Sequence, residues 1–429
     1  MILSLYRAVT TLGEPLISAY LRRRMADGKE DRARFPERQG IASQPRPEGR
    51  VVWLHAASVG EAVSVLPVLE RIQARPDTTA LITTGTVSSA TLMAGRLPAG
   101  AIHQYVPVDR IAWVRRFLDH WRPDLALWLE SEFWPNMLTE TAERNIPILL
   151  LNGRISPRSF GRWQRNPRLA RHILSCFQLC LGQTEADAER LRLLGAKKVA
   201  APGNLKFAAP PLPVDDAELD RLSRLIGNRP RWLAASTHVG EELIAGRVHA
   251  AIKSRFPNLL TIVAPRHPGR GKSIASELRG LGLTVTRRSA GEPIMASTDV
   301  LLADTIGELG LLIRLAPLVF MGKSLTARGG QNPLEPARLE ASVLFGPLMD
   351  NFDQVASRME AAKAAHLVSD ETALTEAIAL RLANPALLRD EGARAGAFAN
   401  TEAGVLGRVL DLIEPWLAPG APASAVAAS

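Results

Sequence analysis

The chain has 429 residues, 46% of them apolar, enough for two domains of ordinary size with separate cores. Lysine and arginine outnumber aspartate and glutamate by 52 to 43, which favours anionic partners such as phosphorylated ligands or an acidic membrane surface. With three tyrosines and no stacking platform or recognition motif, nucleic acid is not an expected partner. Cys176 and Cys180 are too few for a disulfide framework and the eight histidines form no zinc-type spacing, so a reducing compartment and no metal centre are expected.

The opening stretch MILSLYRAVTTLGEPLISAYLRRRM sets Ile2, Leu5, Val9, Leu12, Leu16 and Tyr20 at helical spacing and closes with Arg22, Arg23 and Arg24. Residues 1–40 therefore read as an amphipathic segment lying on a membrane, its arginines meeting lipid headgroups. Arg7, Glu14 and Pro15 interrupt the apolar run, which disfavours a spanning helix. The alternative is a helix packed on the domain behind it.

In RVVWLHAASVGEAVSVLPVLERI, the apolar run Val51–His55 predicts a strand buried on both faces. Ala56, Ala57, Ser58 and Gly60 permit a tight turn, and Glu61 falls in the first turn of a helix. Glu61 has two readings: it complements the helix dipole, for up to ~1 kcal/mol, or it faces a pocket. Further strands are predicted at Ala80–Thr84, Asp124–Leu129, Ile148–Asn152 and Cys180–Gln183, with helices at Asp109–His120 and Thr184–Leu194. LALWLESEFWPNML puts Glu130 and Glu132 at a strand end, and LLNGRIS puts Asn152 and Arg154 at the next. Strand ends of a parallel sheet share one edge, so Glu61 and the Glu130/Glu132 pair are expected to face one cleft, where burial and mutual repulsion suit a carboxylate to general base work. The alternative for the pair is a helix cap or salt bridge. Arg154 suits bidentate contact with a carboxylate or phosphate, and Ser58 and Gly60 border the same turn.

The proline-rich KFAAPPLPVDDAEL marks a linker over 206–216, after which the alternation restarts. Strands are predicted at Trp232–Ala235, Leu260–Ala264, Leu283–Thr286, Val300–Ala303, Leu318–Met321 and Val343–Phe345. Two doubly wound α/β domains are expected, 41–205 and 217–415, with a ligand cleft between them and a low-complexity, disordered tail over 416–429. Neither half carries GxGxxG after its first strand or a GxxxxGK[ST] loop, which disfavours dinucleotide binding and Walker-type ATP hydrolysis. In the second half, LAASTHVGEE brings Ser236, Thr237 and His238 to a strand end before a helix whose free N–H groups can hold an anion. IVAPRHPGRGK brings Arg266 and His267 to the next. LADTIGELG places Ile306, Gly307 and Glu308 in a turn whose backbone can read a base edge, and GGQNPLEPA supplies Asn332 and Glu335 for ribose hydroxyls. Together these predict a nucleotide site.

The ordered blocks RFPERQG, HAASVGE, ESEFWPN, NGRIS, GNLKF, STHVGEE, APRHPGR, DTIGEL and GGQNPLEPA resemble the 3-deoxy-D-manno-octulosonic acid (Kdo) transferases of lipopolysaccharide synthesis. The resemblance implies a GT-B glycosyltransferase with two Rossmann-like domains, the first binding a lipid A precursor and the second CMP-Kdo, at the cytoplasmic face of the inner membrane and without a cofactor. It implies that Glu61 is the general base, that Glu132 is a second essential acid with Glu130 beside it, and that Ser58, Gly60 and Arg154 lie on the acceptor side. Arg266, the Gly307–Glu308 turn, Asn332 and Glu335 are the implied donor set, and Ser236, Thr237, His267 and Ile306 join it by their position at the same strand ends. Gln331 and the preceding SLTAR depart from the family pattern, in which His commonly precedes the Asn. The alternatives are another GT-B enzyme of nucleotide sugars, such as a UDP-dependent transferase or epimerase, and a non-catalytic nucleotide-sugar-binding membrane protein.

Overall fold

A computed structural model describes residues 2–208 and 211–418, which divide into two compact units, Met1–Ala209 with Glu402–Ser429 and Pro210–Thr401. The division falls in the proline-rich segment.

Unit 1 is built on seven parallel strands: β1 (Arg50–His55), β2 (Thr78–Thr84), β3 (Ile102–Tyr105), β4 (Leu125–Leu129), β5 (Ile148–Gly153), β6 (Phe177–Gly182) and β7 (Val199–Ala200), in the order β3-β2-β1-β4-β5-β6-β7. Val51 to Leu54 are fully buried because both faces of the sheet are covered. Val52, Leu54, Ile82 and Leu127 point into one core, and Val51, Trp53, Leu81 and Trp128 into the other. Strand order reverses between β1 and β4, so their C-terminal ends flank a crevice, the usual ligand position in such sheets.

Unit 2 repeats the plan with β8 (Arg231–Thr237), β9 (Leu260–Pro265), β10 (Val285–Arg287), β11 (Val300–Leu302), β12 (Leu318–Met321), β13 (Ser342–Phe345) and β14 (His366–Leu367), in the order β10-β11-β9-β8-β12-β13-β14. Its reversal lies between β8 and β12.

At the N-terminus the amphipathic segment is two helices, α1 (Ile2–Leu12) and α2 (Glu14–Ala26), meeting at Gly13. Tyr6, Arg7 and Glu14 face the domain. Tyr6 donates to Asp109 at 2.9 Å, Arg7 donates to Thr139 at 3.0 Å, and Glu14 pairs with Arg110. Asp109 in turn accepts the N–H groups of Asn136 and Met137 at 3.0 and 2.7 Å. The apolar stripe from Ile2 to Tyr20 is outward: Leu5 is 64% exposed, Leu12 83% and Leu16 78%. Among the described residues no helix is long and apolar enough to cross a membrane.

The C-terminal boundary differs from the sequence expectation. Residues from Glu402 return to unit 1, where the helix Val405–Leu417 adds Val405, Val409, Ile413, Trp416 and Leu417 to the core beneath Val52 and Leu54. An apolar helix face does not specify which sheet it covers, so the sequence pattern assigned this helix to the neighbouring domain. The Arg50 guanidinium fixes it by donating to the carbonyls of Leu417 at 2.7 Å and Ala418 at 3.0 Å, groups a helix end leaves unpaired. The tail expected over 416–429 starts too early, because Trp416 and Leu417 are buried in this helix; its residues from 419 onward lie outside the described residues. Ile413→Ala should lower stability by ~2–5 kcal/mol, the usual cost of such a cavity, and hydrogen exchange should speed in β1 but not in β8.

Candidate functional site

Glu61 and the Glu130/Glu132 pair sit where unit 1 reverses its strand order. The helix Val59–Gln73 follows β1, with Ser58 as N-cap. Ser58 Oγ accepts the Glu61 N–H at 3.3 Å and donates to Glu61 Oε1 at 2.8 Å, while Oε2 accepts the Ala57 N–H at 2.8 Å. This reciprocal arrangement caps the helix, so the dipole-complementing reading of Glu61 describes part of its role. Yet the residue is only 6% exposed. Burial raises its pKa above the usual carboxylate range; the Ala57 and Ser58 hydrogen bonds oppose that, and the charges of Glu130 and Glu132 add to it.

Glu130 leaves β4 at φ +53° and pairs with Lys206 at 2.6 Å, a partner the sequence analysis did not single out. Lys206 lies in GNLKF, but nothing in that block points to β4. Glu132 is exposed; its carboxylate accepts the Trp134 indole N–H at 3.0 Å, and its carbonyl accepts that of Trp128 at 2.7 Å. Arg154 is exposed after β5, its N–H donating to Ser131 Oγ at 3.2 Å, so Ser131 ties the two loops together. Around Gly60 a Cβ would meet open space, so nothing in the protein itself demands glycine there. His55, directly before this turn, is fully enclosed; burial lowers its pKa to about 3 and keeps it neutral.

In unit 2 a pocket of about 330 Å³ is lined in part by Ser236, Arg266, His267, Ile306, Gly307 and Glu308. Ser236 is the bulge at the end of β8, where pairing with β9 slips between Ala235 and Thr237, and its φ of +53° re-aims the side chain. Gly307, at φ +86°, makes the turn before the helix Leu309–Leu315. The Glu308 carboxylate accepts from Arg288 at 2.7 Å, which holds its pKa below the usual range, so it braces the turn and leaves the backbone to face the pocket. Asn332 Oδ1 accepts the Leu334 N–H at 3.2 Å. Burial raises the Glu335 pKa, and the charges of Arg338 and Arg266 oppose this, which brings Arg266 and Glu335 into one field. Gln331 Nε2 reaches His238 Nε2 at 3.5 Å.

One expectation for LAASTHVGEE is corrected. Thr237 is fully buried with its hydroxyl donating to Glu242 at 3.3 Å, so its side chain is committed to the scaffold. The His238 N–H, ahead of the helix, is accepted by Glu241 at 2.9 Å. The same carboxylate accepts the N–H groups of Lys323, Ser324 and Leu325 at 2.6, 2.9 and 3.1 Å, clamping the loop after β12 to the loop after β8. Sequence reasoning missed Glu241 because a first-turn glutamate ordinarily marks an exposed helix start. Glu242 holds Arg270 at 2.9 Å. Cys176 and Cys180 are buried, and burial raises their thiols to about 11 and about 12, so both are inert core residues. Among the described residues no cluster of three or more His, Cys, Asp or Glu side chains could hold a metal ion. Glu241→Gln would aim an amide N–H₂ at backbone N–H groups, and thermal unfolding of the variant should report a loss of ~2–3 kcal/mol or more.

Residues 33–209 match the family described as 3-deoxy-D-manno-octulosonic-acid transferase (kdotransferase). The chain is 34% identical to a probable mitochondrial 3-deoxy-D-manno-octulosonic acid transferase of Arabidopsis thaliana, over 90% of this chain and 89% of the relative. It is 31% identical to the 3-deoxy-D-manno-octulosonic acid transferase of Haemophilus influenzae, over 96% of this chain and 98% of the relative. In fold it is similar to a glycosyltransferase of Rickettsia africae, with a TM-score of 0.59 at 11% identity, covering 86% of this chain and 99% of that one. The two parallel seven-stranded sheets are those of a GT-B enzyme, and identity sustained over nearly the whole of two relatives means that the chain belongs to the Kdo transferase family.

Proposed function

We propose that the protein transfers Kdo from CMP-Kdo to the glucosamine 6-hydroxyl of a lipid A precursor, lipid IVA, inverting the anomeric carbon at the cytoplasmic face of the inner membrane. Unit 1 binds the acceptor and unit 2 the donor. The reading rests chiefly on Glu61, a buried carboxylate at the strand-order reversal whose proton affinity is raised by burial and by two neighbouring acids.

In the reaction, Glu61 takes the proton of the 6-hydroxyl as its oxygen attacks the anomeric carbon of Kdo. The bond from that carbon to the CMP phosphate breaks on the opposite side, and CMP leaves with the electron pair. Glu132 and Glu130 keep Glu61 proton-hungry and oppose the positive charge that develops on the sugar. Arg266 meets the departing phosphate, which a cation can stabilise without a metal ion. Open space at Gly60 admits the acceptor sugar, and Arg154 and Ser58 border it. The Ile306–Glu308 turn reads the cytosine edge, and Asn332 with Glu335 holds the ribose. The exposed stripe from Ile2 to Tyr20, followed by exposed Arg22 and Arg23, sets unit 1 on the lipid surface without spanning it.

Incubation with CMP-Kdo and lipid IVA should add Kdo mass to the acceptor, with the anomeric configuration opposite to that of the donor, and EDTA should leave the rate unchanged. Glu61→Ala should cut transfer by roughly 10²–10⁴-fold while CMP binding stays within about twofold. Normal transfer by that variant would discard the base assignment. Deleting residues 2–26 should reduce sedimentation with anionic vesicles while leaving CMP binding intact.

A further inference from the structure

Between Glu143 and Glu185 the sequence holds no acidic residue, yet it carries Arg154, Arg158, Arg162, Arg165, Arg168 and Arg171. The last five lie on and between the helices Pro157–Gln164 and Pro167–Leu174. Phe160, Trp163, Leu169 and Ile173 turn toward the core, and all five arginines are exposed. Some other guanidinium groups on unit 1 meet carboxylates: Arg115 with Glu140 at 2.8 Å, Arg144 with Asp119 at 2.9 Å, Arg190 with Asp187 at 3.5 Å. Among the described residues none of the five has such a partner. Arg158 and Arg162 are one helical turn apart, as are Arg168 and Arg171, so their mutual repulsion costs the fold a little and nothing within the chain offsets it.

The cluster adjoins the candidate acceptor loop. The Phe133 ring, one residue beyond Glu132, packs edge-on against Trp163 at 5.8 Å, between Arg162 and Arg165 in sequence. On its other side the same loop enters the helix Pro135–Glu143, whose first turn is bonded through Asp109 to Tyr6, on the domain-facing side of the N-terminal helix that carries the apolar stripe. Greasy surface, acceptor loop and unpaired arginines thus follow one another across unit 1.

We propose that these arginines bind the phosphate monoesters of the acceptor's glucosamine headgroup, an inference that rests on the acceptor reading above. Phosphate on a sugar carries close to two charges and three acceptor oxygens, and guanidinium forks match it bidentately, which neutral sugar hydroxyls do not. The acyl chains then lie with the N-terminal stripe while the phosphates fix the headgroup beside the loop.

The test is isothermal titration of the full-length protein in neutral detergent with a bis-phosphorylated glucosamine disaccharide and with its dephosphorylated counterpart, alongside transfer kinetics. Wild-type protein should bind the phosphorylated form at least about tenfold more tightly. Arg158→Gln/Arg162→Gln should erase that preference and raise KM for the phosphorylated acceptor by a similar factor, whereas Arg96→Gln, a charge loss elsewhere on unit 1, should do neither. Equal affinity for the two disaccharides, or a preference that survives the double substitution, overturns the proposal. So does a double variant whose only defect is weaker binding to phosphatidylglycerol vesicles, which would make the patch a general headgroup contact. Arg-dependent disaccharide binding without any Kdo transfer would uphold this surface and overturn the proposed function instead.

Discussion

Three hydrogen bonds at the start of one helix fix the most consequential side chain in the molecule. Ser58 and Glu61 exchange bonds and the Ala57 N–H completes the ring, so the carboxylate sits in one orientation, almost out of water, at the edge where β1 and β4 diverge. The same contacts that cap the helix pull the pKa down; burial and the acids after β4 push it up further. The fold therefore favours the protonated carboxyl, and stability from that preference falls as pH rises from the ordinary carboxylate range through the displaced pKa. A group held this way has a raised proton affinity at no cost in positioning, as a general base requires.

Unit 2 uses buried carboxylates differently. Glu241 gathers four backbone N–H groups from two loops, and Glu308 is neutralised by Arg288, so both acids brace the loops at the strand ends of unit 2. Polar backbone that would otherwise be orphaned beside a pocket is satisfied from behind, and the open side is left to Ser236, Arg266 and the 306–308 turn. The contrast between units is one of environment: acids near other acids on one sheet, acids matched to N–H groups and guanidinium on the other.

Most of the architecture was legible because both sheets are parallel and covered, which makes strands such as Val51–Leu54 and Leu318–Met321 unbroken apolar runs. β3 was missed because His103 and Gln104 stand in it, buried and bonded to Thr84 at 2.9 Å and to the Trp121 indole N–H at 2.7 Å, contacts no local pattern encodes. β7 and β14 are two residues each, below what periodicity resolves. Glu61, Glu130 and Glu132 stood out at strand ends, since topology alone brings such ends to one edge. Glu241, Lys206 and the destination of the last helix did not, because each depends on a partner 76 or more residues away or on which sheet has a bare face.

The N-terminal helices invert the usual amphipathic arrangement: Tyr6, Arg7 and Glu14 hold the protein while Leu5, Leu12 and Leu16 face outward, a surface that only an apolar phase would cover favourably. Their bonds through Asp109 to the helix after Trp134 tie that surface to the loop carrying Glu132. The whole account turns on the ionisation of one carboxyl. Titration of the Glu61 side-chain carbon by NMR, set beside the pH dependence of kcat/KM, addresses it directly: the account predicts a midpoint above the ordinary glutamate range that coincides with the rise in kcat/KM, and an unshifted midpoint, or a rate profile indifferent to it, would contradict the account.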